Sequence, residues 1–176
     1  MENRIKKFKE IMEHCNGRIF AITFEWLLES GFFIAPASIN HHGACDGGLF
    51  DHSLAVTKKL LELTKCLDLK WQRTESPYIV GMFHDICKVD NYRRTEGGKW
   101  EYNNDTLLPG HGDKSVMMLT RWLPLTEEEM LCIRWHMGAF DNNKENWGGY
   151  SRAIAKYPNV LYTHTADMIA THIIGI

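Results

Sequence analysis

The stretch Tyr78-Ile79-Val80-Gly81-Met82-Phe83-His84-Asp85 is an apolar helical run that closes on a histidine and an aspartate. Adjacent residues on a helix point about 100° apart, so both side chains can reach a metal ion off one flank, each with one donor atom. Two donors do not fill a coordination sphere. His52 upstream and His111, His136 and Asp167 downstream extend the set to four imidazoles and two carboxylates, which is enough for one or two metal ions.

Outward from that run, apolar periodicity predicts helices at about 3 to 14, 17 to 30, 49 to 68, 74 to 87, 112 to 123, 126 to 137 and 160 to 173. Little is left for sheet, so the expected fold class is all-α. The segment VDNYRRTEGGKWEYNND, Val89 to Asp105, has aromatic residues on both sides of Gly97-Gly98 and is expected to form a short β-hairpin inserted between helices. Thr126, followed by three glutamates, marks a helix start, and Pro124 marks the stop before it. The polar stretch AFDNNKENWGGY, Ala139 to Tyr150, is expected as a surface loop. No repeat or linker divides the chain, so residues 1–176 are expected to form one domain, long enough to bury a continuous core.

Twenty Lys and Arg against 22 Asp and Glu give a formal charge of −2, which does not steer a protein onto a polyanion, so no extended nucleic-acid surface is expected. Five cysteines without a CxxC pair fit a reduced, cytosolic setting. The early apolar stretch RIFAITFEWLLESGFFIAPA carries Arg18, Glu25 and Glu29, which marks an amphipathic helix and not a membrane span.

His52 lies at the edge of the stripe formed by Leu49, Val56, Leu60 and Leu63. A lone histidine there is usually a packed core residue; the company of His84 and Asp85 makes it a ligand candidate. An ionised Asp85 at the end of an apolar helix is costly to bury unpaired, and a metal compensates that cost. Lys88 falls on the same face if the helix continues, where its ammonium suits an anionic oxygen of a substrate. His111 is enclosed by glycines in LPGHGDKSV, whose backbone amides can approach an anion. Asp113 is a candidate to orient a ligand imidazole or accept a proton. Tyr92, Arg93 and Arg94 are candidates for a phosphate and base clamp, and Arg134 and Trp135 are similar candidates beside His136.

The set H…HD…H…H…D, with a lysine three residues after the aspartate, resembles the HD-domain superfamily of metal-dependent phosphohydrolases. The strings HHGACDGGLFDHSLAV, MFHDICKV, GHGDKS, IRWHMG and HTAD resemble a bacterial and phage branch of HD-domain hydrolases. The first is also similar to the HD domain of certain bacterial exoribonucleases. The likeness runs from Trp26 to Thr171. It implies an HD-domain helical bundle in which His52, His84, Asp85 and Asp167 hold one metal, while His111 and His136 hold a second that shares Asp85. His42 matches a histidine of the related branch and is expected to touch substrate or metal-bound water. His164, one turn before Asp167, is expected to give a supporting hydrogen bond.

Mixed imidazole and carboxylate donors suit one or two divalent ions of Mn, Fe, Co, Ni or Zn, and the absence of cysteine from the set argues against a structural zinc. The expected function is hydrolysis of a nucleotide or another small phosphate mono- or diester by hydroxide that a metal pair generates at neutral pH, with Lys88 stabilising the substrate phosphate. The alternatives are a di-iron oxygenase of the HD-domain type and a non-catalytic, metal-stabilised binding or regulatory module.

Overall fold

The computed structural model describes residues 1–15, 17–40, 43–108, 110–138 and 147–176, without the side chains of residues 18–20 and 22. The chain is an all-helical bundle with one short hairpin. Its elements run α1 (Glu2–Met12), α2 (Gly17–Glu29), α3 (Gly48–Leu67), α4 (Ser76–Phe83), α5 (Lys88–Asn91), β1 (Tyr92–Arg94) and β2 (Trp100–Tyr102). Then follow α6 (Gly112–Leu119), α7 (Glu127–Arg134), α8 (Trp147–Lys156), α9 (Asn159–Ile169) and a π-helical turn, Ala170–Ile174. Among the described residues, no helix is long and apolar enough to cross a membrane.

The long α3 buries Leu49, Phe50, Val56 and Leu60 at helical spacing, and α4 is buried along nearly its whole length. Phe8, Phe32, Phe33, Phe50 and Phe83 pack edge to face or tilted at the centre, the geometry that aromatic quadrupoles favour.

Two glycines fix the helix contacts that matter for the chemistry. A Cβ on Gly81 of α4 would lie 2.6 Å from Cα of Thr57 on α3, so only glycine allows these backbones to approach so closely. A Cβ on Gly112, at the start of α6, would overlap the carbonyl oxygen of Arg134 at the end of α7. The first contact brings His52 towards His84; the second brings His111 towards His136. Helix α9 packs on both α3 and α7 and carries Asp167 to the same place.

A buried carboxylate ties the other end of the bundle together. Glu129 completes a capping box with Thr126 at the start of α7. It also accepts from Nε and Nη2 of Arg73, both at 2.7 Å, and from Ser76 Oγ at 2.8 Å. Every lone pair of this buried charge is thereby directed at a donor, the condition under which such burial is tolerated.

The structure differs from the sequence expectation in three places. The helix expected to run to residue 87 ends at Phe83, because the amides of Ile86, Lys88 and Val89 bond to carbonyls three residues back and tighten the chain. The last helix widens into the π-helical turn, where the amides of Gly175 and Ile176 both bond to Ala170 O. The expected loop 139–150 ends early: α8 begins at Trp147, whereas residues 139–146 lie outside the described residues. Gly148 and Gly149 read as loop residues in sequence, yet a Cβ on Gly149 would sit 3.1 Å from the Trp135 ring, so glycine there serves packing.

The hairpin lies where the sequence puts it, with Tyr92 opposite Tyr102, Arg93 opposite Glu101 and Arg94 opposite Trp100. Its base is pinned by the buried Lys114 of α6, whose Nζ reaches Asn91 Oδ1 at 2.6 Å, Thr106 Oγ1 at 2.5 Å and Asp90 Oδ2 at 2.6 Å. Its far end is held by Asp46, which accepts from Trp100 Nε1 at 2.8 Å and pairs with Arg94.

Candidate metal centre

Asp85 is buried in the turn after α4, and its two carboxylate oxygens face two different pairs of histidines. Oδ2 lies 3.6 Å from Nε2 of both His52 and His84. Oδ1 lies 2.6 Å from Nε2 of His111 and 3.2 Å from Nε2 of His136. Asp167, from α9, adds Oδ1 at 3.1 Å from His52 Nε2 and 3.9 Å from His84 Nε2. Donor atoms of His52, His84 and Asp85 all fall within 4.8 Å of one another. The structure thus brings together His52, His84, Asp85, His111, His136 and Asp167.

The far nitrogen of each ring is already engaged. Nδ1 of His52 is 2.9 Å from Ile176 O, that of His84 is 2.9 Å from Gly81 O, and that of His136 is 2.7 Å from Ile133 O. A carbonyl oxygen only accepts, so each Nδ1 carries a proton, and in a neutral ring Nε2 then turns a lone pair inward. Those lone pairs meet other acceptors. His52 Nε2 and His84 Nε2 are 3.2 Å apart. His136 Nε2 is buried and makes no hydrogen bond, 3.2 Å from Asp85 Oδ1. Converging lone pairs repel unless a cation lies among them, so the residues present fit a divalent metal.

Charge at the site follows the same arrangement. Burial pushes the Asp85 carboxyl up, but Lys88 and His111 outweigh it and hold its pKa well below the usual range. Lys88 Nζ sits 2.5 Å from Asp85 Oδ2, and against a strong burial effect that carboxylate keeps the ammonium pKa raised. Burial dominates at His84 and lowers its pKa to about 3, leaving a neutral ring. At His111 burial works downward, but Asp85 and Cys87 raise the pKa well above normal. Burial also pushes the Asp167 carboxyl up, yet the surrounding histidines, His52 first, outweigh it and leave its pKa lowered.

The other candidate residues have partners of their own. His111 Nδ1 faces Cys87 Sγ at 3.2 Å, while Asp113 pairs with Arg134. Arg134 stacks over Trp135 with 4.6 Å to the ring centroid. Arg93 binds Glu101 at 2.8 Å and Asp105 at 2.6 Å, and Arg94 is paired with Asp46, so both would have to leave carboxylates to touch a substrate phosphate. His164 donates from Nδ1 to His136 O at 2.7 Å. His42, with His41, lies outside the described residues.

The donors open into a cleft of about 680 Å³ lined by His52, Asp85, Lys88, His111 and Asp167, with Tyr92 and Tyr102 of the hairpin alongside. A larger cleft of about 750 Å³ runs between α1, α3 and the C-terminal turn but touches none of the six donors. Sequence reading missed Cys87, Tyr102 and the carbonyl of Ile176. Only Tyr102 leaves a signal, as the residue that pairs with Tyr92 across the Gly97-Gly98 turn.

No family model matches the chain, and no solved structure matches it. Among curated proteins it is similar to the dihydroneopterin 2′,3′-cyclic phosphate phosphodiesterase of Methanocaldococcus jannaschii, with 34% identity over 85 residues. That match covers 46% of this chain and 34% of the relative, so the likeness spans about a third of the relative's length.

Proposed function

We propose that this chain is a metal-dependent phosphohydrolase of the HD-domain type, with residues 1–176 acting as one unit and a two-ion site that takes a nucleotide or another small phosphate mono- or diester. The observation that carries this reading is the division of Asp85. One oxygen serves His52 and His84, the other serves His111 and His136, and three of the four rings are oriented from behind by backbone carbonyls. The likeness to a cyclic phosphate phosphodiesterase supports the same reaction class.

His52, His84, Asp85 and Asp167 would hold one ion, and Asp85, His111 and His136 the other. Bound there, divalent ions lower the pKa of water and polarise a phosphoryl oxygen. The chain's own residues do the rest. The carbonyls behind His52, His84 and His136 fix the tautomer that keeps Nε2 unprotonated. Lys88, nearly buried and aimed into the cleft, supplies positive charge for phosphate oxygens as charge builds in the transition state.

The test is a screen of nucleotides, cyclic nucleotides and short oligonucleotides against the Mn, Co, Ni and Fe forms. Turnover of a phosphate ester that stops on chelation and returns with metal is the expected result. Oxygen consumption by the iron form, or no hydrolysis of any ester by fully loaded protein, would overturn the reading.

A further inference from the structure

The hairpin presents an aromatic wall to the cleft. Antiparallel register sets Tyr92 directly opposite Tyr102, so both side chains leave the same face of the two-stranded sheet. Their ring centroids are 5.5 Å apart, and both rings line the cleft beside Lys88. Tyr102 remains 54% exposed, so its ring is accessible to a ligand in the cleft. Ala37, Met137 and Met168 supply apolar lining to the same space, and methionine is the side chain best able to adapt to a flat ring.

The wall is rigid. Lys114 pins the hairpin base to α6, and Asp46 holds the far end through Arg94 and Trp100. A preorganised aromatic surface a few residues from the phosphate-facing lysine binds a planar ring with little ordering cost. Arg93 and Arg94 are occupied by carboxylates, so the hairpin offers ring faces and not guanidinium groups.

We infer that Tyr102, with Tyr92, forms the subsite for a planar heteroaromatic ring, which makes the substrate a phosphate ester carrying such a ring and makes Tyr102 a specificity residue. This rests on the phosphohydrolase reading for the word substrate, but the ring subsite is read by binding alone. Adenosine 5′-monophosphate and ribose 5-phosphate carry the same phosphate with and without a heteroaromatic base, so the difference in their affinities reads the ring subsite, whether a monophosphate is substrate or product.

Calorimetric titration of the metal-loaded full chain with the two probes separates the possibilities. The expected result is binding of adenosine 5′-monophosphate about tenfold or more tighter than ribose 5-phosphate, the scale of one base stacking on an aromatic side chain. Tyr102→Ala should remove most of that preference without changing ribose 5-phosphate affinity or metal content, and Tyr102→Phe should keep it. Equal affinity for both probes, or an equal loss for both in Tyr102→Ala, overturns the ring subsite. Absence of hydrolysis of every phosphate ester screened, with the preference intact, would instead strike the phosphohydrolase reading and leave the subsite standing.

Discussion

Nζ of Lys88 lies 2.5 Å from Oδ2 of Asp85, the carboxylate oxygen that also faces His52 and His84. The lysine therefore meets the acidic side of the centre and the open cleft at once. A cation in that position neutralises Asp85, and on the proposed reading it becomes available to a substrate phosphate once an ion is bound.

Lys88→Ala is expected to retain its metal ions and fold while kcat falls by about 10²-fold or more, the loss typical of one preorganised electrostatic donor. Lys88→Arg should restore part of the rate, because a planar fork does not reproduce a compact ammonium. Metal analysis alongside steady-state kinetics checks this. Parent-like kcat in Lys88→Ala would make the lysine a partner of Asp85 and nothing more.

Metal-free protein should lose stability as the pH falls from 6.5. Burial lowers the His84 pKa from its usual 6.5 to about 3. Between those values the unfolded chain takes up a proton that the folded chain refuses, so stability is intact above pH 6.5 and drains away below it. The loss should reach about 3 kcal/mol near pH 4, at roughly 1.4 kcal/mol per pH unit. His111, whose raised pKa stabilises the fold below its ordinary value, contributes a constant amount across this window and does not mask the slope. Below about pH 4, Asp85 and Asp167 add to the loss, since their lowered pKa values favour the fold only while the unfolded carboxyls are ionised. Urea titrations in chelator from pH 7 to 4 measure it; a flat profile would show that His84 is not held neutral.

Glu129→Ala should cost about 3 to 5 kcal/mol, the usual result of removing one partner from a buried charge network. It leaves Arg73, Ser76 and the Thr126 amide facing a void. Chemical denaturation of the metal-loaded variant tests this, and a cost under about 1 kcal/mol would mean the network behaves like an exposed pair.

Much of this arrangement is readable in the sequence, and the exceptions have physical causes. His52 and Asp167 lie in apolar helical segments and His84-Asp85 closes an apolar run, where local periodicity exposes them as anomalies; His111 and His136 stand at helix ends and join the set through the family resemblance, and the structure draws all six together. The pairings of Asp113 with Arg134 and of Lys114 with the hairpin base depend on how α6 and α7 cross, which no local pattern encodes. Helix α8 was hidden because Gly148 and Gly149 carry a loop signature, although Gly149 is small to admit the Trp135 ring. Ile176 meets His52 only because the chain widens at Ala170–Ile174, a backbone event with no side-chain signature.

His111→Ala should empty mainly the ion held with His136 and spare the one held by His52, His84 and Asp167, since only the Oδ1 side of Asp85 loses a neighbour. Elemental analysis of the purified variant should give about half the parent's metal content if each side of Asp85 holds its own ion. Full parental content would show that His111 is not a ligand.

The central claim is that Asp85 joins two metal ions, and anomalous scattering from crystals of the metal-saturated protein, paired with Asp85→Ala, tests it most directly. The account predicts two peaks in the parent, one beside His52, His84 and Asp167 and one beside His111 and His136, and neither peak in the variant. A single peak at saturation, or two peaks that survive the loss of Asp85, would contradict it.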